Sequence, residues 1–230
     1  MFDDLPPRRL AAEAIGAALL AMAAIGSGIM AERLSNGNIA LALLASSLAT
    51  GAMAAGLLLM LAEVTAAYFN PAVALALVLR GELSLAHGAS YAAAQTGGAL
   101  AGAVFTHVMF GMAWVQNATQ IRSGLGAGMG EAVATAALML AIMGCRARGA
   151  GQLAAAVGLV ILGNFWATNS TALANPAITI ARTLTDTFAS IRPADAGVFI
   201  AVELAAAAVM AFAGGWLFAA GEASTPRRKS

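Results

Sequence analysis

The sequence predicts an all-α membrane protein with six transmembrane helices and two half-helices in an inverted-repeat bundle. The 230-residue chain is 60% hydrophobic and only 10% charged, with a mean hydropathy of +0.82. A soluble domain of this length does not bury so much apolar surface, so lipid must be its solvent. Asn-Pro-Ala also occurs twice, at 70–72 and 175–177, each time at the start of an apolar run too short to cross a membrane.

Six longer apolar spans can be placed in order along the chain. They run from about Leu10 to Met30, Ile39 to Leu61, Leu85 to Met112, Gly130 to Met143, Leu153 to Ala167 and Ala196 to Ala219. A crossing helix needs roughly 20 residues, and the fifth span is close to the lower limit. The polar, glycine-rich stretch 113–128 is the longest loop. We therefore expect one membrane channel domain over 1–230, with repeat halves at about 8–112 and 128–220.

The two tripeptides are expected to begin short helices. They are Asn70-Pro71-Ala72 and Asn175-Pro176-Ala177. Asn is a favoured N-cap residue, and Pro is favoured at the first helical position, where its missing N–H costs nothing. The first run, 71–80, would be about 15 Å long, or half of a hydrocarbon core. Paired short, Pro-interrupted segments in two halves point to a site at the membrane midplane.

An odd number of spans per half inverts the second half relative to the first. The half-helices would then enter from opposite sides and meet with their N-termini near the centre. Each N-terminus carries about half a positive elementary charge, so protons and other cations would be repelled there. Asn70 and Asn175 would cap their helices and offer amide hydrogens to a passing hydroxyl or water.

The distribution of Lys and Arg predicts the orientation. With a cytoplasmic N-terminus, the inner segments hold Arg8, Arg9, Arg80, Arg146, Arg148, Arg227, Arg228 and Lys229, and the outer segments hold Arg33, Arg122, Arg182 and Arg192. This asymmetry predicts that both termini are cytoplasmic. We also expect the membrane to be the cell's inner (plasma) membrane.

Composition and motifs also exclude several classes of function. The net charge of +1 argues against a nucleic-acid partner, and the single cysteine, Cys145, excludes a multi-cysteine metal site. The sequence contains no set of nucleophile and base and no cofactor motif. We therefore expect no enzyme activity, no cofactor and no metal.

At this point the sequence resembles the aquaporin and glycerol-channel (major intrinsic protein) family. The resemblance rests on the twin Asn-Pro-Ala motifs, on Glu13 and Glu131 in the first span of each half, and on Ala-Gln-Thr-Gly-Gly-Ala at 94–99. It implies an aquaporin-like bundle with one pore per subunit, and a homotetramer. Gly98-x-x-x-Gly102 is an example of the small-residue faces that such an assembly would use. The resemblance also implies that the two glutamates and Gln95 support the loops, a structural role that we favour over a proton relay. Glu203 lies where the first half has Gln95, and we expect it to be buried, with its carboxyl group protonated.

The expected selectivity filter departs from that of the family. Most members have an arginine directly after the second motif, whereas this chain has Ile178. By family offset the other filter positions fall at Thr50, Gly163 and Ala172, although a shift of one residue would replace Gly163 by Asn164. Such a filter is small and mostly apolar, so it should be wide. We expect a passive channel for water and small neutral solutes, such as glycerol, urea or metalloid hydroxides like arsenous acid, that excludes protons and ions.

Arg182 has two interpretations. It lies four residues beyond Ile178, so on a continuous helix the two share a face. Arg182 would then be a pore-facing cation, about 6 Å nearer the outer mouth than the family's usual arginine. Alternatively, it extends to the outer interface and pairs with Asp186, four residues further on.

Three alternatives to this function remain. One is a strict water channel. Another is an ion-coupled secondary transporter, which a midplane carboxylate facing the lumen would favour. The last is a closed scaffold without flux.

Overall fold

The computed structural model describes residues 5–65 and 68–222, and within them the regular structure is helical. The helices are α1 (Pro7–Leu34), α2 (Ile39–Leu61), α3 (Pro71–Leu79), α4 (Leu85–Met109), α5 (Leu125–Cys145), α6 (Ala150–Ala167), α7 (Pro176–Ala181) and α8 (Pro193–Glu222). Single 3-10 turns follow α5 at Arg146–Arg148 and α7 at Arg182–Leu184. Both halves therefore have the same order of two long helices, one short helix and one long helix.

The long helices have the dimensions that a membrane requires. Among the described residues, five helices are long and apolar enough to cross: α1, α2, α5, α6 and α8. The sixth long helix, α4, has 25 residues and no Asp, Glu, Lys or Arg, but its His, Gln, Ser and Thr side chains make it less apolar. The predicted all-α membrane bundle with two half-helices is confirmed.

Several helix ends differ from the prediction. The fourth span begins at Leu125 rather than Gly130 because Gly124, with φ +99°, allows the chain to turn into the helix earlier. The sixth begins at Pro193, a residue favoured in a first helical turn. The basic residues 227–229 used for the orientation lie outside the described residues.

The first and fourth helices pack against each other at very short range. A Cβ atom on Gly98 would lie 2.1 Å from the backbone oxygen of Ala14, and one on Gly102 would lie 2.3 Å from that of Ala18. Both glycines are buried. Gly98-x-x-x-Gly102, expected to serve assembly between subunits, therefore lies at the α1–α4 contact within one chain. Small residues serve here to let two backbones approach.

The half-helices fill the space between the long helices. The short α3 packs on α4 and α8, and α7 packs on α4, α8 and α1. Both begin as the sequence predicts, with Pro at the first position. The Oδ1 atom of Asn70 accepts from the backbone N–H of Ala72 at 2.9 Å, and Oδ1 of Asn175 accepts from Ala177 at 3.0 Å.

Candidate pore

The two Asn-Pro-Ala segments meet and hold each other. Nδ2 of Asn70 donates to the carbonyl oxygen of Ala174 at 2.8 Å, and Nδ2 of Asn175 donates to that of Phe69 at 2.9 Å. Each amide thus uses one of its two hydrogens to bind the residue that precedes the opposite asparagine. Both asparagines also line a cavity, and the second amide hydrogen of each has no partner among the described residues.

Buried glutamates hold the loops that precede the two motifs. Glu13 is fully buried, and its carboxylate accepts hydrogen bonds from the backbone N–H groups of Tyr68 and Phe69, from the Thr65 hydroxyl, and from Nε2 of Gln95. Phe69 has φ +46°, which is strained for a residue with a side chain. The carboxylate stabilises this conformation, as the predicted support role of Glu13 and Gln95 requires.

The second half repeats this arrangement. Glu131, also fully buried, accepts from the backbone N–H groups of Leu173 at 2.9 Å and Ala174 at 2.7 Å. Ala174 has φ +47°, matching Phe69 in the first half. Glu203 is fully buried, as expected, and accepts from the backbone N–H of Asn175 and from the Thr179 hydroxyl.

A single cavity of about 380 Å³ runs past both motifs. Its apolar lining includes Leu20, Ala24, Ala54, Leu58, Val73, Leu77, Leu138, Ile142, Leu153, Val157, Ile161 and Phe165. Three polar side chains, Glu63, Tyr68 and Arg146, line the part near the C-terminal ends of α2 and α5. The buried carboxylates of Glu13, Glu131 and Glu203 do not line it. Within the described residues, the lumen therefore has no midplane carboxylate of the kind that a coupled transporter would use.

The predicted filter positions are only partly in the lining. Thr50, Ala172 and Ile178 line the cavity. Gly163 does not: it is exposed on the outside of α6, with open space where a side chain would begin. The position predicted at Gly163 is corrected to its neighbour Asn164, which lines the cavity. Adjacent helical residues point about 100° apart, so a shift of one residue exchanges an outward position for an inward one.

Asn164 adds a polar acceptor to the cavity wall. Its Nδ2 donates to the backbone oxygen of Ala134 at 3.1 Å. Its Oδ1 has no hydrogen-bond partner among the described residues. The Thr50 hydroxyl likewise uses its hydrogen on the Ser46 carbonyl at 2.8 Å, which leaves the oxygen as an acceptor.

Arg182 is buried and lines the cavity. The predicted helix does not continue to it, since α7 ends at Ala181. Its Nε donates to the Ala189 carbonyl and its Nη2 to the Thr171 hydroxyl, while Nη1 has no partner in the described part of the chain. The predicted pair with Asp186 is wrong, because that carboxylate accepts instead from the backbone and side chain of Thr119. These hydrogen bonds lower the pKa of Asp186.

The loop between α4 and α5 contains a positioning residue that the sequence analysis missed. Arg122 donates through its guanidinium to the carbonyls of Ser190, Ser170 and Phe188 and to the hydroxyl of Thr171. It therefore fixes the loop that leads to Ala172. The available signal was its position as the sole charged residue in 113–128. Burial lowers the pKa of Arg122, opposed by the negative charge of Glu131.

Three comparisons with known proteins agree. The sequence model of the Major intrinsic protein family matches residues 6–152. The chain is 40% identical over 197 residues to a protein of Rhizobium meliloti (strain 1021) named aquaglyceroporin AqpS, covering 86% of this chain and 84% of that protein. The X-ray structure of the aquaglyceroporin from Plasmodium falciparum superposes with a TM-score of 0.68 at 20% identity, covering 92% of this chain and 94% of that one.

The fold and the relatives lead to one assignment. The structural match shows the same helical architecture, and the sequence match covers most of both chains. The cavity, with its two capped half-helices, provides a path rather than a reaction centre. The chain belongs to the major intrinsic protein family and is an integral membrane protein, a passive channel and not an enzyme.

Proposed function

We propose that this channel conducts small neutral solutes, namely glycerol, urea or metalloid hydroxides such as arsenous acid, together with water, and excludes protons and ions. The observation that carries the proposal is the composition of the outer cavity wall. Thr50, Asn164, Ala172, Ile178 and Arg182 all belong to the lining, and two of them are apolar. The relative named an aquaglyceroporin supports the same solute class.

This wall suits a solute with hydroxyl or amide groups on an otherwise uncharged body. Arg182 offers a free N–H group, whereas Asn164 and Thr50 offer oxygen acceptors, so both halves of a hydroxyl find a partner. Ala172 and Ile178 face the solute with carbon, which competes for no hydrogen bond. Ile178 stands where the family usually has an arginine, so the residue directly after the second motif presents carbon to the solute.

Ion exclusion follows from two sources of positive potential. The facing N-termini of α3 and α7 repel cations at the asparagine pair. Arg182 adds a full positive charge further along the cavity, and no carboxylate among the described residues lies within ion-pair distance of it. An anion that entered would have to leave its hydration shell in an apolar lumen, which is costly.

The arrangement in the membrane is part of the proposal. We infer that 1–230 form a single channel domain with inverted halves at about 8–112 and 128–220, both termini in the cytoplasm, in a homotetramer in the inner (plasma) membrane. The excess of Lys and Arg on the proposed inner side supports the orientation. Large exposed apolar side chains, such as Phe105, Phe212 and Trp216, leave ample surface for lipid and for neighbouring subunits.

The test is a stopped-flow panel in proteoliposomes with water, glycerol, urea and arsenous acid. Asn164→Phe is expected to reduce solute flux more than water flux because it fills the cavity wall. The matched control is Gly163→Phe on the outside of α6, which should leave the ratio unchanged.

Water flux without any of the three solutes would instead establish the strict water channel. Equal loss of water and solute flux in Asn164→Phe would show that this wall does not select. Absence of all flux from correctly inserted protein would favour the closed scaffold.

A further inference from the structure

The Glu203 carboxyl group has one oxygen in use and one without a partner. Oε1 accepts from the backbone N–H of Asn175 at 3.2 Å and from the Thr179 hydroxyl at 2.7 Å. Oε2 is buried and has no hydrogen-bond partner in the described part of the chain. A buried polar atom without a partner is rare, and its presence calls for a physical reason.

The neighbouring group is a second carboxyl. Both oxygens of Glu131 accept backbone N–H groups, from Leu173 and Ala174, and Glu203 accepts from the next N–H along the chain, that of Asn175, so the two carboxyl groups lie side by side. Two negative carboxylates side by side and away from water would repel each other strongly. The nearest cations are Arg182 and Arg122, but neither forms an ion pair with the two carboxyls in the described structure.

The first half of the chain contains the same pair with a neutral amide in place of the second carboxyl. There Gln95 occupies the position of Glu203, and its Nε2 donates to Oε2 of Glu13 at 2.7 Å. A carboxylic acid has the same donor and acceptor capacity toward one neighbour as this amide, provided that it keeps its proton. Protonation of Glu203 would thus satisfy Oε2 and remove the repulsion at once.

We propose that Glu203 is a neutral carboxylic acid whose Oε2–H donates to the Glu131 carboxylate, making it a positioning residue for the second Asn-Pro-Ala segment. The shared proton then links Glu131 and Glu203, the two side chains that hold this segment. Glu131 holds the loop that precedes Asn175, and Glu203 holds the first turn of α7 through Asn175 and Thr179. The inference does not depend on which solute the channel conducts.

The first experiment compares Glu203→Gln with Glu203→Leu in purified protein. The amide reproduces both the donor and the acceptor, so Glu203→Gln should unfold at the wild-type temperature and conduct as the wild type does. Leucine leaves the N–H of Asn175 and the Thr179 hydroxyl unpaired, so its unfolding temperature should fall by several degrees. Loss of stability in Glu203→Gln equal to that in Glu203→Leu would overturn the proposal, because an ionised Glu203 would then be required.

Infrared spectroscopy supplies a readout that a merely structural role would not change. The infrared difference spectrum, wild type minus Glu203→Gln, should show the carbonyl stretching band of a protonated carboxylic acid at neutral pH. Gln95→Glu, the mirror substitution in the first half, should add a second such band beside Glu13. If the wild type lacks this band, or if the band persists in Glu203→Gln, Glu203 is not the proton carrier and the proposal fails whatever the channel conducts.

Discussion

The contact between α1 and α4 yields a sharp prediction for the substitution Gly98→Ala. The added Cβ would lie 2.1 Å from the backbone oxygen of Ala14 and 2.7 Å from its carbonyl carbon. Ordinary contacts between such atoms are about 3.5 Å or longer. Both clashing atoms belong to backbone inside a helix, so no side chain can rotate away. The two helices must therefore move apart by more than an ångström.

The cost of this movement can be worked out from the neighbouring contacts. Overpacking a well-packed core typically costs about 1–3 kcal/mol. The same displacement would stretch the bond from Gln95 on α4 to Glu13 on α1, a charged hydrogen bond worth roughly 1.5–3 kcal/mol. Replacing a helical glycine by alanine returns only about 1 kcal/mol. The two costs less the gain leave a net loss of stability of roughly 1.5–5 kcal/mol.

Thermal unfolding in detergent, followed by the fluorescence of the three tryptophans, measures this loss. The matched control is Gly97→Ala, one residue away on the exposed side of α4, where a Cβ meets no atom within 4 Å. It gains the same helix propensity without the clash and should unfold at or above the wild-type temperature. If the two variants were equally stable, the close α1–α4 contact would be refuted.

Three further predictions follow from the loops and the pore. Glu131→Ala leaves two buried backbone N–H groups unpaired, so the free energy of unfolding should fall by about 2–6 kcal/mol. Glu63→Ala, at an exposed position, should change little in the same thermal unfolding experiment. Arg182→Leu removes the cation from the cavity wall and should raise cation leak in a vesicle flux assay; unchanged ion exclusion would assign that task to the half-helices alone. Burial alone would raise the pKa of Glu82, but the hydrogen bonds from Arg146 and Arg80 hold this pKa below its ordinary value of 4.5. The stability that these ion pairs contribute should therefore be present above pH 4.5 and lost on acidification below it. The difference in unfolding temperature between the wild type and a Glu82 variant, followed with pH, measures this contribution.

Much of the fold could be predicted because its determinants are local. The start of each half-helix depends on an asparagine cap and a proline within three residues, and both caps form as predicted. The long helices follow from apolar length alone. The support role of Glu13 and Glu131 came from the family resemblance rather than from their spacing, since each binds a loop more than 40 residues away.

The errors arose where a side chain depends on distant backbone. Arg182 was placed on a continuous helix, but it binds the Ala189 carbonyl on a returning loop that no periodicity reveals. Gly163 and Asn164 differ only in helical rotation, which packing decides and composition does not. Gly98 lies on a small-residue face, and nothing in the sequence tells whether such a face meets another subunit or another helix of the same chain.

The cross-bonds between the two halves also explain why this fold serves as a channel rather than as a transporter. Alternating access would require one repeat to rock against the other around the central site. Here Asn70 binds Ala174 and Asn175 binds Phe69, so each half holds the other at the point where the rocking would occur. The buried glutamates fix both loops in strained conformations from behind, and none of the three faces the lumen. A rearrangement would break both cross-bonds within a water-poor interior, whereas diffusion through the existing cavity breaks none, so the structure favours a permanently formed path.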